Sequence, residues 1–521
     1  LRCVPLTIAA LTLLLGGCAV GPNFHRPASP TDAGYAPVPL PETTVSAKVE
    51  AGAAQHFSSG ADVPFDWWKS FQSPPLDALV EKALRANSTI EAAEATLRQA
   101  QELVDAQQGY FFPTIGAGYN FERQKLAGNI SGSSAPGVQG SGNTLQATQS
   151  TNSSPHNKPL FFNFHTIEFT ISYNPDVFGS NRRQVESLEA QADMQRFELE
   201  AAYISLASNV VAAAIQEAST RAQIASTQDI IDVETKSLEV LRNQQKNGYA
   251  MGIDAAAQEA ALAAVELTLP PLQKQLEQTR DLIRALVGNL PNDEVSETFT
   301  LASLHLPEDL PLSLPSKIVE QRPDVRAAEE QMRSANADVG VAIAARLPQF
   351  SLTGAYGGTA TQFNQLIFPG AGFWNLTGNV AQTLFDGNTL FHKQRAANEA
   401  LIEAAAQYRS TVVSAFQNVA DSLHALLSDA DALKAAVKAE HAAKVTLDLT
   451  QRQSQAGYVN YLTLLSAEMA YETALINLVQ AEASRFGDTA ALFQALGGGW
   501  WNRREVASSD ADGARTGAAN P

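Results

Sequence analysis

Two long stretches of this chain, from about Ser180 to Asn247 and from Asn388 to Ala456, contain neither proline nor glycine. Those are the residues that most strongly interrupt helices. Each stretch therefore predicts a single helix, on the order of 100 Å long at 1.5 Å rise per residue. Along the first, Leu199, Tyr203, Leu206, Val210 and Ala213 recur at steps of four and three, and along the second Val412, Phe416, Val419, Leu423 and Leu426 do the same. That spacing is a coiled-coil seam, and the many alanines let neighbouring helices approach closely.

The two helices belong to two copies of one large unit. IEAAEATLRQAQ at Ile90 aligns without a gap on VRAAEEQMRSAN at Val325, and the same offset carries Pro113 onto Pro348. NGYAMGIDAAAQEA at Asn247 pairs with AGYVNYLTLLSAEM at Ala456. Each half reads helix, strand, strand, very long helix, tight turn, helix. Gly248 and Gly457 fall where a left-handed residue ends a helix. Pro270-Pro271 should interrupt the return helix of the first half only.

The strands alternate. Ile115, Ala117, Tyr119 and Phe121 are interleaved with Gly116, Gly118, Asn120 and Glu122, and Ile167, Phe169, Ile171 and Tyr173 with Glu168, Thr170, Ser172 and Asn174. The second half repeats this more weakly around Phe350-Leu352 and from Trp374 to Leu384. A period of two makes one face apolar and the other polar. That suits a barrel with lipid outside and water inside, and equally a half-buried sheet of a soluble domain. Between the first two strands, residues 126–158 are rich in Gly, Ser, Asn and Thr. They read as a mobile loop without a core.

The N-terminus favours the barrel. The apolar run Leu6 to Leu15 is half the roughly 20 residues a spanning helix needs, and Arg2 and small residues flank it as in a secretory signal. Leu15-Gly16-Gly17-Cys18 resembles a bacterial lipobox, in which the cysteine is acylated and becomes the new N-terminus. The only other cysteine, Cys3, lies within the signal, so no disulfide or cysteine-based metal site remains. No later apolar stretch is read as long enough to span, so a crossing would have to be made by strands closed into a barrel. About eight strands are the least that close. With four per chain, two copies give eight and three give twelve, and a lumen wide enough for solutes favours three.

Other classes are thinly supported. A net charge of −18 excludes a basic nucleic-acid footprint. The eight histidines form no HExxH or similar ligand spacing, and no GxxxxGK or GxSxG occurs. Neither catalysis, nor a metal site, nor a cofactor beyond the covalent lipid on Cys18 is expected. A structural lipoprotein with coiled-coil arms explains the helices but leaves the strands idle.

At this point the residues resemble the TolC-like outer membrane factor family, in its OprM-type lipoprotein branch serving resistance–nodulation–division efflux pumps. CAVGPNFHRP, WWKSFQSPPLDALVEKAL, NPDVFGSNRR, LIRALVGNLP and QRPDVRAAE occur in the family's order. The resemblance implies a mainly α chain with a small β part, a homotrimer with a twelve-stranded barrel in outer-membrane lipid, and a helical tunnel through the periplasm. It also implies an exit duct for drugs or other small solutes, fed by an inner-membrane pump through a periplasmic adaptor. Protein or metal export on the same fold is the alternative.

The organisation expected is a signal at 1–17, a lipid-anchored linker at 18–75, a first repeat at 76–290 and an inter-repeat linker at 291–314. A second repeat follows at 315–497, and a flexible tail at 498–521. Within the repeats, strands are expected at 112–126, 160–176, 348–358 and 373–385, and long helices at 180–247 and 388–456. The resemblance places adaptor contacts on the tip turns at Gly248, Tyr249, Gly457, Tyr458 and Asn460. It places the periplasmic aperture at Leu462, Ser466 and Met469, with Asp254 and Ala257 near the equivalent positions of the first repeat. The family pattern GVDNYLTLLDAQR has an aspartate and an arginine where this chain has Ser466 and Met469. Glu468 projects about 200° round the helix from Ser466. The hydrophobic part of the gate carries over at Leu462, whereas Ser466 and Met469 leave the ionic part open.

Overall fold

The computed structural model describes residues 19–28, 34–37, 39–126, 138–141, 144–147 and 160–503. It comprises two compact units. Leu1–Phe24, Glu102–Glu189 and Ser334–Leu401 make the first, and His25–Gln101, Ala190–Arg333 and Ile402–Pro521 the second.

The first unit carries a four-stranded antiparallel sheet. Its strands are β1 (Thr114–Leu126), β2 (Leu160–Tyr173), β3 (Gln349–Ala360) and β4 (Gly372–Ala381), in the order β1-β2-β3-β4. The two strands from each half of the sequence thus join at β2 and β3. The fourth strand stops at Ala381 rather than near residue 385. There Gln382 turns back, its side-chain amide donating to the Arg346 carbonyl oxygen at 3.0 Å, and Leu384 and Phe385 are left exposed. The mobile loop expected between β1 and β2 lies mostly outside the described residues. Within it Val138–Ser141 pairs antiparallel with Thr144–Ala147.

The long helices are α1 (Ser180–Lys246) and α4 (Thr389–Gln455), each of 67 residues. Both start in the first unit at a turn with an acidic cap, which satisfies donors that a helix start leaves unpaired. Asp176 accepts from the N–H groups of Asn181 and Arg182, both at 2.9 Å, and Asp386 from that of Leu390 at 2.8 Å. One 18-residue window of α1 is apolar enough to cross a membrane by length and composition, which corrects the reading that no such stretch follows the signal. Of that window 61% is buried inside the chain, so its apolarity serves the core.

In the second unit both seams lie in one hydrophobic core. Leu199, Leu206, Val210 and Ala213 are buried there with Val412, Val419, Leu423 and Leu426. The chain returns from α1 through α2 (Gly252–Glu266) and α3 (Leu269–Leu286), which begins at the Pro270-Pro271 pair. From α4 it returns through the unbroken α5 (Tyr461–Ala495).

Two boundary expectations fail here because aromatic residues anchor what composition reads as linker and tail. Within 18–75, Trp67 and Phe71 are core residues, Trp67 stacking on Phe493 with centroids 5.2 Å apart. His56–Ser59 pairs in parallel with Asp309–Leu312. The buried Arg485 guanidinium donates to the carbonyl oxygens of Ala51 and Ala53 at 2.8 and 3.1 Å. At the other end, residues 498–503 are packed rather than flexible. The indole N–H of Trp500 donates to the Gln321 carbonyl oxygen at 2.6 Å, and that of Trp501 to Asp62 at 2.9 Å.

Candidate functional site

The sheet register aligns its apolar side chains on one face. Ile115 lies opposite Ile171, Tyr119 opposite Ile167, Phe169 between Ala117 and Tyr356, and Tyr356 opposite Trp374. Ile115, Tyr119, Ile167, Phe169, Tyr356 and Trp374 are all exposed. The other face carries Asn120, Glu168, Thr170, Thr353, Asn375 and Asn379. Such a sheet buries neither face within its own chain. Among the described residues, the outer edges of β1 and β4 pair with no strand.

Cys18 lies outside the described residues, but the segment that follows it is held firmly in the first unit. The Val20 N–H donates to the Phe178 carbonyl oxygen at 3.1 Å. The buried Arg183 guanidinium donates to the carbonyl oxygens of Val20 and Gly21 at 3.1 and 3.3 Å and to the Asn23 side chain at 2.8 Å. Asn336 adds a bond to the Pro22 carbonyl oxygen at 3.0 Å. Gly340 is required by this contact, since a Cβ there would stand 2.8 Å from Arg183 Cγ and 3.0 Å from the Val20 oxygen. The Gly-Pro sequence after the cysteine is therefore a docked strap.

The two long helices end alike in the second unit. Gly248 and Gly457 have φ of +77° and +76°. Tyr249 N–H donates to Gln244 at 2.8 Å and Gly248 N–H to Gln245 at 3.0 Å, while Tyr458 and Gly457 do the same to Gln453 at 2.9 Å and Ser454 at 3.0 Å. This paired 6→1 and 5→2 closure satisfies the last carbonyl groups and leaves the left-handed position to glycine. It also leaves Tyr249 and Tyr458 exposed. Asn460 then caps α5, accepting from the Thr463 N–H at 2.9 Å.

The sequence-selected aperture residues occupy these tips without bonding to one another. Leu462, Ser466 and Met469 lie along one exposed face of α5. Asp254 and Ala257 sit half-buried on α2. Asp254 closes the start of its own helix, accepting from the Met251 N–H at 3.3 Å, and among the described residues it forms no ion pair.

What the sequence reading missed is on the opposite face of α5. Glu468 is 5% exposed where Met469 is 53% exposed. Around Glu468 stand Glu472, one helical turn on, and Glu234 of α1, itself buried. Tyr461 donates to the side-chain oxygen of Gln258 on α2, and Gln258, fully buried, donates to both the carboxylate and, at 3.0 Å, the main-chain oxygen of Glu234. Glu234 and Glu472 lie within hydrogen-bonding reach of each other, and two carboxyls can bond only with a proton between them. Burial, then the neighbouring Glu234, pushes Glu468 and Glu472 up to about 7. Burial also raises Glu234. One oxygen of Glu468 is buried with no hydrogen-bond partner. The signal for this cluster was the phase of Glu468 on the helix. Nothing local tied it to Glu234, more than two hundred positions earlier in the chain.

A family model described as outer membrane efflux protein matches residues 79–289 and 314–498, one segment in each half of the duplication. The chain is similar to the pyoverdine export outer membrane protein OpmQ of Pseudomonas putida, 27% identical over 436 residues, covering 83% of this chain and 88% of that one. It is also similar to the toluene efflux pump outer membrane protein TtgF of Pseudomonas putida, 25% identical over 503 residues, covering 95% and 96%. Among solved structures, the outer-membrane channel OprN superposes with a TM-score of 0.78 at 25% identity, covering 93% of this chain and all of that one.

Proposed function

The chain belongs to the outer membrane efflux protein family, and from that premise we propose that three copies build a duct through the outer membrane. The protein is an outer-membrane efflux channel; the family is channel-forming and not enzymatic. The observation that carries the finer reading is the sheet, with one exposed apolar face and, among the described residues, two unpaired edges. In hydrocarbon an unpaired edge leaves N–H and C=O groups unsatisfied at several kcal/mol each. Closure by further copies removes both edges, and three copies make twelve strands around a lumen lined by the polar face. A lipid on Cys18, held close to the sheet by the docked strap, tethers each copy to the same membrane. Solutes enter from an inner-membrane pump through a periplasmic adaptor that grips the tip turns at Tyr249 and Tyr458. The family carries cargoes as unlike as pyoverdine and toluene, so the duct leaves selection to the pump.

The test is a heat-sensitive trimer in detergent that conducts in a planar bilayer. A monomeric, non-conducting lipoprotein would sink the reading in favour of a structural role. The aperture is proposed at Leu462, Ser466 and Met469, with Asp254 and Ala257 from the first repeat. No acid–base pair joins these residues, so closure there rests on Leu462, whose burial against its symmetry mates is worth about 1.5–3 kcal/mol. Leu462→Ser should raise single-channel conductance well above that of the parent. An unchanged conductance, together with opening on neutralising Asp254, would move the aperture to the first repeat.

A further inference from the structure

We propose that Glu234, Glu468 and Glu472 form a proton-operated latch, which holds α5 against the α1–α2 hairpin and releases it when the carboxyls ionise. The three groups come from two chain segments that meet only in the folded unit. Two of them, Glu468 and Glu472, are on the helix that must move. Glu472 and Glu234 can be hydrogen-bonded only while a proton lies between them. The oxygen of Glu468 without a hydrogen-bond partner is buried in the same place, where a second negative charge is poorly stabilised.

Among the described residues no cation pairs with the cluster. From α2 the cluster is faced by the neutral Gln258, by Asp254 at the start of that helix, and by Glu259, which pairs outward with Arg242 of α1 at 3.1 Å. From α5 it is faced by Tyr461, whose hydroxyl is already given to Gln258. From α4 come Gln451, Ser454 and Gln455, none of which titrates. Lys236 of α1 lines the same groove, about 620 Å³ in volume, but forms no ion pair among the described residues. Full ionisation therefore places three like charges together with no ion-pair partner among the described residues, and α5 leaving the hairpin is the motion that lets water reach them.

The sign follows from the raised pKa values. A carboxyl that binds its proton more tightly when packed stabilises the packed state most at low pH. That stabilisation is lost as pH rises, and is gone once the pH has passed about 7. The tips are thus shut in acid and loosen in neutral to mildly alkaline medium. The consequence for conduction rests on the proposed aperture; the latch itself does not.

The experiment separates the two. Ala467 is buried beside Glu468, whereas Ala470 is exposed. A thiol from Ala467→Cys, in full-length trimers whose only other cysteines are Cys3 and Cys18, is labelled with a small methanethiosulfonate between pH 5.5 and 8.5. Its rate is divided by that of Ala470→Cys to remove the thiol's own titration. The ratio should rise between pH 5.5 and about 7, by up to about tenfold per pH unit for each carboxyl that ionises, and level off above that. It should be flat when Glu468→Gln and Glu472→Gln are added. A flat ratio in the parent, or an unchanged rise in the double variant, overturns the latch. If the ratio rises as expected while bilayer conductance stays constant over the same range, the latch stands and the aperture is misplaced. If conductance follows pH without any change in labelling, the latch is wrong and another group titrates at the aperture.

Discussion

Two buried carboxylates on the same helix are treated in opposite ways. Glu217 of α1 is fully buried, and one of its oxygens receives Arg221 at 2.6 Å and Arg280 of α3 at 2.9 Å. Glu234, also of α1 and nearer the tip, is buried against two further glutamates and an amide, and among the described residues it pairs with no cation. The first arrangement fixes helices together, because removing either sign strands the other in a medium that cannot solvate it. The second is held by protons, and protons leave. An ion pair makes a permanent joint, whereas a shared proton makes one whose strength is set by the medium. The chain has the joint that can be undone where the helices turn back.

The largest effect that would test this contrast is at the permanent joint. Replacing both Arg221 and Arg280 by Met should cost about 3–5 kcal/mol, read as a marked fall in the temperature at which trimers dissociate in detergent. Little change would mean that Glu217 is not held by its arginines, and the contrast would collapse. At the other site the same class of measurement should move the opposite way. Glu468→Gln should stabilise the tip by roughly 2–3 kcal/mol at pH 8, because an uncharged amide replaces a carboxyl whose ionisation is opposed by burial. The gain should vanish below about pH 5, where the carboxyl is protonated in either state. Thermal melts of the trimer, or protease resistance of the tip turns, at pH 5 and pH 8 measure it. Stabilisation of equal size at both pH values would show a packing effect with no titration behind it. The smallest change is Tyr461→Phe, which takes the hydroxyl from Gln258 and leaves its oxygen unpaired. It should cost about 1–2 kcal/mol and leave the pH midpoint of the labelling ratio in place. A displaced midpoint would make Tyr461 a member of the titrating cluster.

Sequence legibility differed sharply between backbone and site. The long helices could be read because proline and glycine are absent, and the seam at Val210 and Leu423 because its spacing is regular. The tip turns could be read because Gly248 and Gly457 are followed by the same tyrosine in both halves. The ends of the folded body were misjudged at Trp67 and Trp500, since a local composition rich in glycine and proline says nothing of what an embedded aromatic ring will meet. Family resemblance directed attention to Ser466 and Met469 on the exposed face of α5, one residue away from Glu468.

By itself the sequence determined what depends on neighbours within a few positions: helix length, strand alternation, caps, left-handed turns and the duplication that repeats them. Those are set by sterics and hydrogen bonding along one stretch of backbone. Only the tertiary structure decided that β2 and β3 join the two halves into one sheet, that Arg183 ties down the segment after Cys18, and that Glu234 is buried beside Glu468 and Glu472. Each of these pairs residues far apart in the chain, and their protonation is governed by a local scarcity of water and cations. That scarcity arises only once several helices have packed, and no spacing within a single helix encodes it.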